Sequence, residues 1–201
     1  MMRTGLFGGT FDPVHKGHIL VAEIAKEKMN LDEIIFIPAG NPPHKTDKDI
    51  TDGGKRLKML SLATEKKPCF KVSDYEILKR EKSYSVDLVR HFKENLKDSE
   101  LFLIIGADSF YNLPTWYHYE ELMEMTSFIV ISRPQVKKEN LLDKFSGNEK
   151  PMRAFFIDDV SIPISSSEIR QALFCGENAE KYLDKSVLSY IKEKGLYKES
   201  I

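Results

Sequence analysis

Residues 8–18, from Gly8 to His18, read Gly-Gly-Thr-Phe-Asp-Pro-Val-His-Lys-Gly-His, and they connect a predicted strand to a predicted helix. An apolar strand predicted over Thr4–Phe7 runs into its glycines, and a helix is predicted to open near Gly17. Glycines directly after a strand let the backbone turn sharply and approach a ligand closely. Because a helix N-terminus presents free N–H groups and the positive end of a dipole, we expect a phosphate to bind here.

Two histidines, His15 and His18, lie three residues apart at the predicted helix start and therefore share one face of its first turn. Their imidazoles could donate hydrogen bonds to one phosphate and stabilise charge that develops on it. A tight turn with two surface histidines is the plainer interpretation. A zinc pair is weakly supported, because no cysteine or third ligand is near in the sequence. The dinucleotide fingerprint Gly-x-Gly-x-x-Gly is absent.

Outward from this stretch, apolar strands alternate with amphipathic segments. Strands that are apolar along their whole length predict a sheet covered on both faces, and the alternation predicts parallel βαβ units. We therefore predict an α/β fold with a doubly wound, mostly parallel sheet and ligands beyond the carboxyl ends of its strands. The further predicted strands are Ile34–Ile37, Phe70–Val72, Leu101–Ile105, Phe128–Ile131 and Ala154–Ile157. The predicted helices are Lys16–Met29, Arg56–Thr64, Val86–Leu96, Ser166–Phe174 and Ser186–Lys194, the last capped by Gly195.

Length and composition bound the class of protein. With 201 residues, 41% of them hydrophobic, the chain predicts a single domain over residues 1–201, with a helical C-terminal portion from about residue 165. A formal net charge of −1 argues against nucleic-acid binding. The sequence shows neither a signal-peptide core nor an apolar run that could span a bilayer, and its cysteines, Cys69 and Cys175, are too few for a disulfide scaffold. A cytoplasmic protein without membrane partners is expected.

Three later segments carry polar side chains near predicted strand or helix ends. Lys45 ends a Pro-rich loop and could meet a phosphate, although a solvated turn lysine is simpler for this residue alone; Arg56 is a weaker candidate of the same kind. A Ser or Asp within residues 83–87 is most simply a helix N-cap. Ser165 and Glu168 have an equally simple explanation, since a serine at a helix start caps free N–H groups and a glutamate in the first turn complements the helix dipole. Arg170, one turn into that helix beside hydroxyls, suits a polyphosphate.

A family resemblance joins these segments. His15 to His18 resembles the His-x-Gly-His signature of the nucleotidyltransferase superfamily, which includes class I aminoacyl-tRNA synthetases, and the whole of residues 8–18 is similar to the nicotinate-nucleotide adenylyltransferases. The family's Pro-Pro-His-Lys element is matched at residues 42–45. Its Ser-Tyr-Thr-x-Asp and Ile-Ser-Ser-Thr-x-Ile-Arg elements are matched with Ser85 and Ser167 in place of threonine. The resemblance runs from the first strand to at least Arg170.

This resemblance implies a Rossmann-like nucleotidyltransferase fold and transfer of an adenylyl group from ATP to nicotinate mononucleotide. The products are nicotinate adenine dinucleotide and pyrophosphate, in NAD biosynthesis, by direct in-line attack. Mg²⁺ is expected to arrive with ATP, without a dedicated protein cage. A homo-oligomer is left open. The catalytic residues implied are His15, His18, Lys45 and Arg170. The ATP contacts implied are Gly8, Gly9, Thr10, Phe11, His15, His18, Gly106, Asp108, Ser166, Ser167 and Arg170. The mononucleotide contacts implied are Thr10, His44, Lys45, Ser85, Trp116 and Tyr117.

Two alternatives remain at this stage. The acceptor could be pantetheine phosphate, nicotinamide mononucleotide or, in a cytidylyl transfer, a polyol phosphate. The Pro-Pro-His-Lys loop and the segment around Trp116 favour the nicotinate acceptor. A non-catalytic nucleotide sensor on the same fold is the other alternative, and the intact pair of His15 and His18 speaks against it.

The single tryptophan generates a prediction about the acceptor. If the Trp116 indole stacks on the pyridine ring, nicotinate mononucleotide should change the intrinsic fluorescence. Trp116→Ala should then weaken the acid and the amide mononucleotide alike, by about 1–3 kcal/mol if base-stacking values transfer. The preference for the acid should persist, because backbone amides near Ser85 and Tyr117 are expected to meet the carboxylate. Unchanged emission at saturating ligand, with normal binding by the Ala variant, would place the pyridine elsewhere.

Overall fold

A six-stranded, mostly parallel sheet flanked by helices forms the fold of the computed structural model, which describes residues 1–40, 50–79, 82–132, 145, 152–158, 160 and 164–198. The strands are β1 (Met2–Gly9), β2 (Glu33–Pro38), β3 (Phe70–Val72), β4 (Ser99–Gly106), β5 (Ser127–Ile131) and β6 (Ala154–Ile157). The strand order is β3-β2-β1-β4-β5-β6, and β1–β4, β4–β5 and β5–β6 pair in parallel. The order reverses between β1 and β4, which creates a topological switch point where folds of this type bind ligands.

The long helices begin and end within a few residues of their predicted bounds, and Gly195 caps the last one in a left-handed conformation, as predicted. The short helices were not predicted, because four to seven residues complete too few turns to show a helical period. The helices are α1 (Lys16–Lys28), α2 (Gly53–Thr64), α3 (Tyr75–Leu78), α4 (Ser85–Asn95), α5 (Ala107–Tyr111), α6 (Tyr119–Met125), α7 (Ser166–Phe174) and α8 (Lys185–Lys194), with a 3₁₀ turn at Leu113–Thr115.

The chain forms two compact units, each assembled from separate segments. The first comprises Met1–Gly8, Ile24–Ile34 and Tyr84–Ser161, and the second comprises Gly9–Glu23, Ile35–Ser83 and Ile162–Ile201. The single domain predicted from length stays a prediction. In the described part of the chain, no helix has both the length and the apolar character that crossing a membrane requires.

The first unit is built around the apolar strands. Leu101–Ile105 of β4 and all of β5 are buried, as predicted for strands that are apolar along their whole length. β6 departs from this expectation, because it occupies the edge of the sheet and leaves Phe155 exposed. The carboxyl ends of β1 and β4 carry Gly8 and Gly106, so both glycines lie at the edge where the switch point opens.

Close packing at the centre of β1 requires a glycine. A Cβ added to Gly5 would lie 2.9 Å from Leu31 Cδ1 and 3.1 Å from both Ile104 Cδ1 and Ile34 Cγ1. These contacts are shorter than side chains tolerate, and the neighbouring atoms belong to the core of the same unit.

We therefore expect Gly5→Ala to lower the free energy of unfolding by about 1–3 kcal/mol, the usual cost of inserting a methyl group into a packed core. Urea unfolding followed by circular dichroism measures the effect. Gly106→Ala is the matched control, because a Cβ at Gly106 has no atom of the described residues within 4 Å. Equal unfolding midpoints for the two variants would contradict the packing argument.

Candidate active site

The loop between β1 and α1 turns around a buried aromatic ring. Phe11 adopts a positive φ of 50°, and its ring packs against Phe36 and meets the His18 ring edge-on at 5.0 Å. A Cβ on Gly9 would lie 2.9 Å from the Phe11 ring, so glycine is required there to admit the ring. Because this ring is buried, any contact between Phe11 and ATP would come from its backbone.

Asp12 anchors the same loop through three hydrogen bonds within the second unit. Its carboxylate accepts from the backbone N–H of Thr51 at 3.0 Å and from the hydroxyl of Tyr197 at 2.6 Å. Its carbonyl oxygen accepts from Arg170 Nη1 at 2.7 Å. Since Asp12 is only 2% exposed, these partners replace the water that the carboxylate loses.

Arg56 supports the loop from the protein interior. Its side chain is buried, Nε donates to the carbonyl of Thr51 at 2.7 Å, and Nη1 donates to the carbonyl of Thr10 at 2.9 Å. Burial lowers the pKa of this guanidinium from its ordinary value, and nearby carboxylates, Asp12 first, oppose the shift. The suggestion that Arg56 meets a phosphate is wrong, because its guanidinium holds backbone carbonyls inside the unit.

His15 and His18 come together as predicted. Their ring centroids are 3.7 Å apart with an angle of 30° between the planes. The backbone N–H of His15 donates to His18 Nδ1 at 3.2 Å. A nitrogen that accepts a hydrogen bond carries no proton, so a neutral His18 holds its proton on Nε2 and can donate from that atom.

Both imidazoles are neutral at physiological pH. Burial lowers the pKa of His15 to about 4. Burial, together with the charge of His15, lowers the pKa of His18 well below 6.5. Nδ1 of His15 is buried, and none of the described residues forms a hydrogen bond with it. The neutral imidazoles can therefore donate N–H groups to an anion. They would become protonated only when the negative charge of that anion offsets the cost of burying an imidazolium.

The first turn of α1 is less open to a ligand than we expected from the sequence. The backbone N–H of Lys16 donates to the carbonyl of Tyr182 at 2.9 Å, and that of His18 donates to the carbonyl of His15 at 2.9 Å. Two of the amides at the helix start are therefore already used. The imidazoles, rather than these amides, are the donors that the site can present.

The start of α7 lies against the loop between β1 and α1. Ser165 and Glu168 form a reciprocal capping box, as the structural interpretation predicted. Ser166 Oγ donates to the carbonyl of Pro13 at 2.9 Å. Arg170 Nη2 donates to Ser167 Oγ at 3.3 Å, in addition to the bond from Nη1 to Asp12. The structure thus brings Ser166, Ser167 and Arg170 to the loop that leads into the histidines.

The remaining described candidates belong to the first unit. Ser85 opens α4, but the N-cap is Tyr84 and makes no side-chain cap bond, so the prediction of a Ser or Asp N-cap is wrong. Asp87 instead pairs with Arg90 at 2.8 Å. The Tyr84 ring packs on that of Tyr117, with centroids 4.7 Å apart, and Tyr117 is 53% exposed.

Trp116 is half-buried at the end of the 3₁₀ turn, where its backbone N–H donates to Leu113. Gly106 ends β4 and is exposed, and Asp108 is exposed in the first turn of α5. Trp116, Tyr117, Ser85, Gly106 and Asp108 therefore all lie in one unit. His44 and Lys45 lie outside the described residues.

Comparisons with known proteins identify the family of this chain. Residues 6–172 match the cytidylyltransferase-like family model. The "Probable nicotinate-nucleotide adenylyltransferase" of Clostridium botulinum is 39% identical over 204 residues, 99% of this chain and 100% of the relative. The protein of the same name from Dehalococcoides mccartyi is 37% identical over 200 residues, 98% of this chain and 97% of the relative. This chain belongs to the nicotinate-nucleotide adenylyltransferase family.

Solved structures confirm the Rossmann-like nucleotidyltransferase fold. Nicotinic acid mononucleotide adenylyltransferase from Plasmodium falciparum, complexed with NaAD, superposes with a TM-score of 0.81 at 22% identity, over 100% of this chain and 99% of that one. The same enzyme complexed with APC gives a TM-score of 0.80. The chain therefore shares its fold with an adenylyltransferase of known structure over its whole length.

Sequence reasoning missed three residues, which are Asp12, Tyr197 and Glu76. Asp12 lies within residues 8–18, but its partners, Thr51 and Tyr197, are far away in the sequence. Glu76 is buried and accepts hydrogen bonds from the backbone N–H of Gly40 and from Ser83, and burial raises its pKa. No pattern in the sequence predicts these pairs.

The low pKa of His15 predicts how stability depends on pH. The unfolded chain takes up this proton near pH 6.5, but the folded chain takes it up only near pH 4. Between those values the unfolded state binds more protons, so the free energy of unfolding falls as the pH drops through the window. For His15 alone, the loss from about pH 8 to about pH 5 is about 2 kcal/mol.

Urea unfolding of the wild type and of His15→Gln at both pH values measures this loss. The variant should lose less stability on acidification, because it has no proton to take up at this position. His91→Gln, on α4, is the control and should behave as the wild type does. The same pH dependence in wild type and His15→Gln would show that the ring is not held neutral.

Proposed function

We propose that this chain transfers the adenylyl group of ATP to nicotinate mononucleotide, giving nicotinate adenine dinucleotide and pyrophosphate in NAD biosynthesis. The observation that carries the proposal is the stacked pair of His15 and His18, 3.7 Å apart at the start of α1, in a chain 39% identical to a relative of that name. Adjacent donors at a water-poor position suit a reaction in which charge develops on phosphate oxygens.

In the proposed chemistry, the phosphate of the mononucleotide attacks the α-phosphorus of ATP in line, and pyrophosphate leaves. The work of the protein is then positioning and charge stabilisation. We assign His15 and His18 to the α- and β-phosphates. His18 would donate from Nε2, since Nδ1 accepts the backbone N–H of His15. The negative charge of the polyphosphate raises the pKa of both rings and offsets the burial that keeps them neutral.

Arg170, Ser166 and Ser167 are assigned to the leaving pyrophosphate. The guanidinium of Arg170 is already held by the Asp12 carbonyl and the Ser167 hydroxyl. A guanidinium has further N–H groups beyond these two bonds, so Arg170 can hold the loop and the phosphates together. Gly8, Gly9, Thr10, Phe11, Gly106 and Asp108 are assigned to the rest of ATP.

The acceptor is assigned to Thr10, Ser85, Trp116 and Tyr117, with His44 and Lys45, which lie outside the described residues, at its phosphate. Exposed aromatic surface at Tyr117 and half-buried indole at Trp116 suit a flat pyridine ring. Backbone N–H groups near Ser85 and Tyr117 would meet the nicotinate carboxylate. This last contact would distinguish the acid from the amide, because an amide offers a donor where the site presents donors.

A metal ion is expected on the substrate rather than on the protein. Among the residues that the structure describes, no group of three or more His, Cys, Asp or Glu side chains is placed to hold one. We therefore propose that Mg²⁺ enters with the phosphates of ATP, and no step is assigned to a protein-bound metal. A cytoplasmic location and an assembly of identical chains are further proposals.

The test is an assay that couples pyrophosphate release to a chromogenic reaction, run with ATP and either nicotinate or nicotinamide mononucleotide. We expect turnover with the acid and a markedly lower kcat/KM with the amide. Formation of nicotinate adenine dinucleotide is followed by chromatography. Pyrophosphate release without this product would exclude the proposed acceptor, and no release with either mononucleotide would favour a nucleotide sensor.

The His18→Ala substitution measures how much His18 contributes to charge stabilisation in the proposed reaction. Removing one donor to a developing negative charge should lower kcat by about a hundredfold or more, with a smaller change in ATP binding. His91→Ala is the control, since His91 lies on α4 and has no assigned role. Near-normal kcat in a folded His18→Ala variant would remove this histidine from the mechanism.

A further inference from the structure

The tail that follows α8 is held in an unusual conformation. After Gly195 caps the helix, Tyr197 adopts a φ of 61°, a left-handed conformation that costs free energy for a residue with a side chain. Tyr197 is nevertheless only 5% exposed. Contacts within the second unit must therefore hold this residue in place.

The contacts of the Tyr197 hydroxyl point to the active-site loop. It donates to Asp12 Oδ1 at 2.6 Å, and the side chain of Thr51 is its second hydrogen-bond partner. Burial next to Asp12 raises the pKa of the Tyr197 hydroxyl above its ordinary value. The hydroxyl is therefore protonated at physiological pH, where it can donate to Asp12.

Asp12 depends on this donor. Its other carboxylate oxygen accepts from the backbone N–H of Thr51 at 3.0 Å. If the Tyr197 donor is lost, one buried carboxylate oxygen is left unsatisfied although the charge of Arg56 remains nearby, and an unsatisfied buried oxygen costs more than an ordinary hydrogen bond is worth. The carboxylate would then move toward water and carry the loop with it. Asp12 lies three residues before His15, and its carbonyl is the one that Arg170 holds.

We propose that Tyr197 is a positioning residue for adenylyl transfer: by holding the Asp12 carboxylate, it fixes the loop that presents His15, His18 and Arg170. The proposal rests on the function proposed above. Tyr197 itself touches no reacting atom. Its effect is on alignment, to which transfer rates are sensitive at the scale of an ångström.

The test compares Tyr197→Phe with the wild type and with Tyr190→Phe. Tyr190, on α8, is the matched control, because its ring lies under Lys194 and its hydroxyl is not among the groups described above as hydrogen-bonded to Asp12. The full chain is used, at a temperature well below the melting temperature of each variant. The measurements are kcat, the KM values for ATP and nicotinate mononucleotide, and the imidazole NMR signals of His15 and His18.

Tyr197→Phe should lower kcat by about tenfold, the factor that 1.4 kcal/mol represents, and should change both KM values by less than about threefold. Tyr190→Phe should match the wild type. A purely structural role would lower the melting temperature and leave kcat per folded molecule unchanged, and that result would overturn the proposal. If Tyr197→Phe does not fold, Asp12→Asn tests the same contact, because an amide has one acceptor oxygen and cannot accept from both Tyr197 and Thr51 as the two carboxylate oxygens do. A kcat equal to that of the wild type, with unshifted imidazole signals, would then overturn it.

The imidazole signals separate this proposal from the proposed function. Tyr197→Phe should shift the signals of His15 and His18 relative to wild type, and Tyr190→Phe should leave them unchanged. Unshifted signals in Tyr197→Phe would overturn the positioning role even if the wild type forms the dinucleotide. A wild type that forms no dinucleotide, with shifted signals in Tyr197→Phe, would overturn the proposed function and leave the coupling between tail and loop intact.

Discussion

A carboxylate that is almost fully buried, that of Asp12, ties the loop between β1 and α1 to distant parts of the second unit. Its donors come from Thr51 and Tyr197, and the carbonyl of the same residue is held by Arg170. A buried carboxylate is tolerated only where fixed donors replace water. The position of the loop is therefore set by segments about 40, 160 and 185 residues away, and it exists only once these segments have folded together.

The same burial controls the histidines that follow. His15 and His18 are close enough to share a ligand, but the interior that places them also removes their charge. A pair of this kind is less stable in acid than solvated histidines would be, because folding must exclude the proton. In the proposed function, a phosphate in the site would reverse this balance, since its negative charge favours the protonated rings. The loss of stability in acid and the proposed affinity for an anion would then have one physical cause, the burial of the two imidazoles.

Much of the fold could be predicted, because long elements repeat a pattern over several turns or several strand residues. β3, β6 and α7 have the predicted bounds, and α1 and α8 differ from theirs by one residue. The short helices α3, α5 and α6 could not be predicted, since so few residues show no period. The expected N-cap at residues 83–87 failed for another reason: Asp87 is used by Arg90, and the cap position falls to Tyr84.

For the site, the residue types, their spacing and the family could be read from the sequence. The pairing of His15 with His18 follows from their spacing of three residues at a helix start, and the capping role of Ser165 and Glu168 follows from local hydrogen bonding. Which polar groups are buried, and with which partners, became visible in the folded chain. It turned Arg56 from a phosphate candidate into a support for backbone carbonyls, and it joined Asp12 to Tyr197. Local geometry depends on residues that are close in the sequence, whereas the cost of burying a charge depends on groups that come together only on folding.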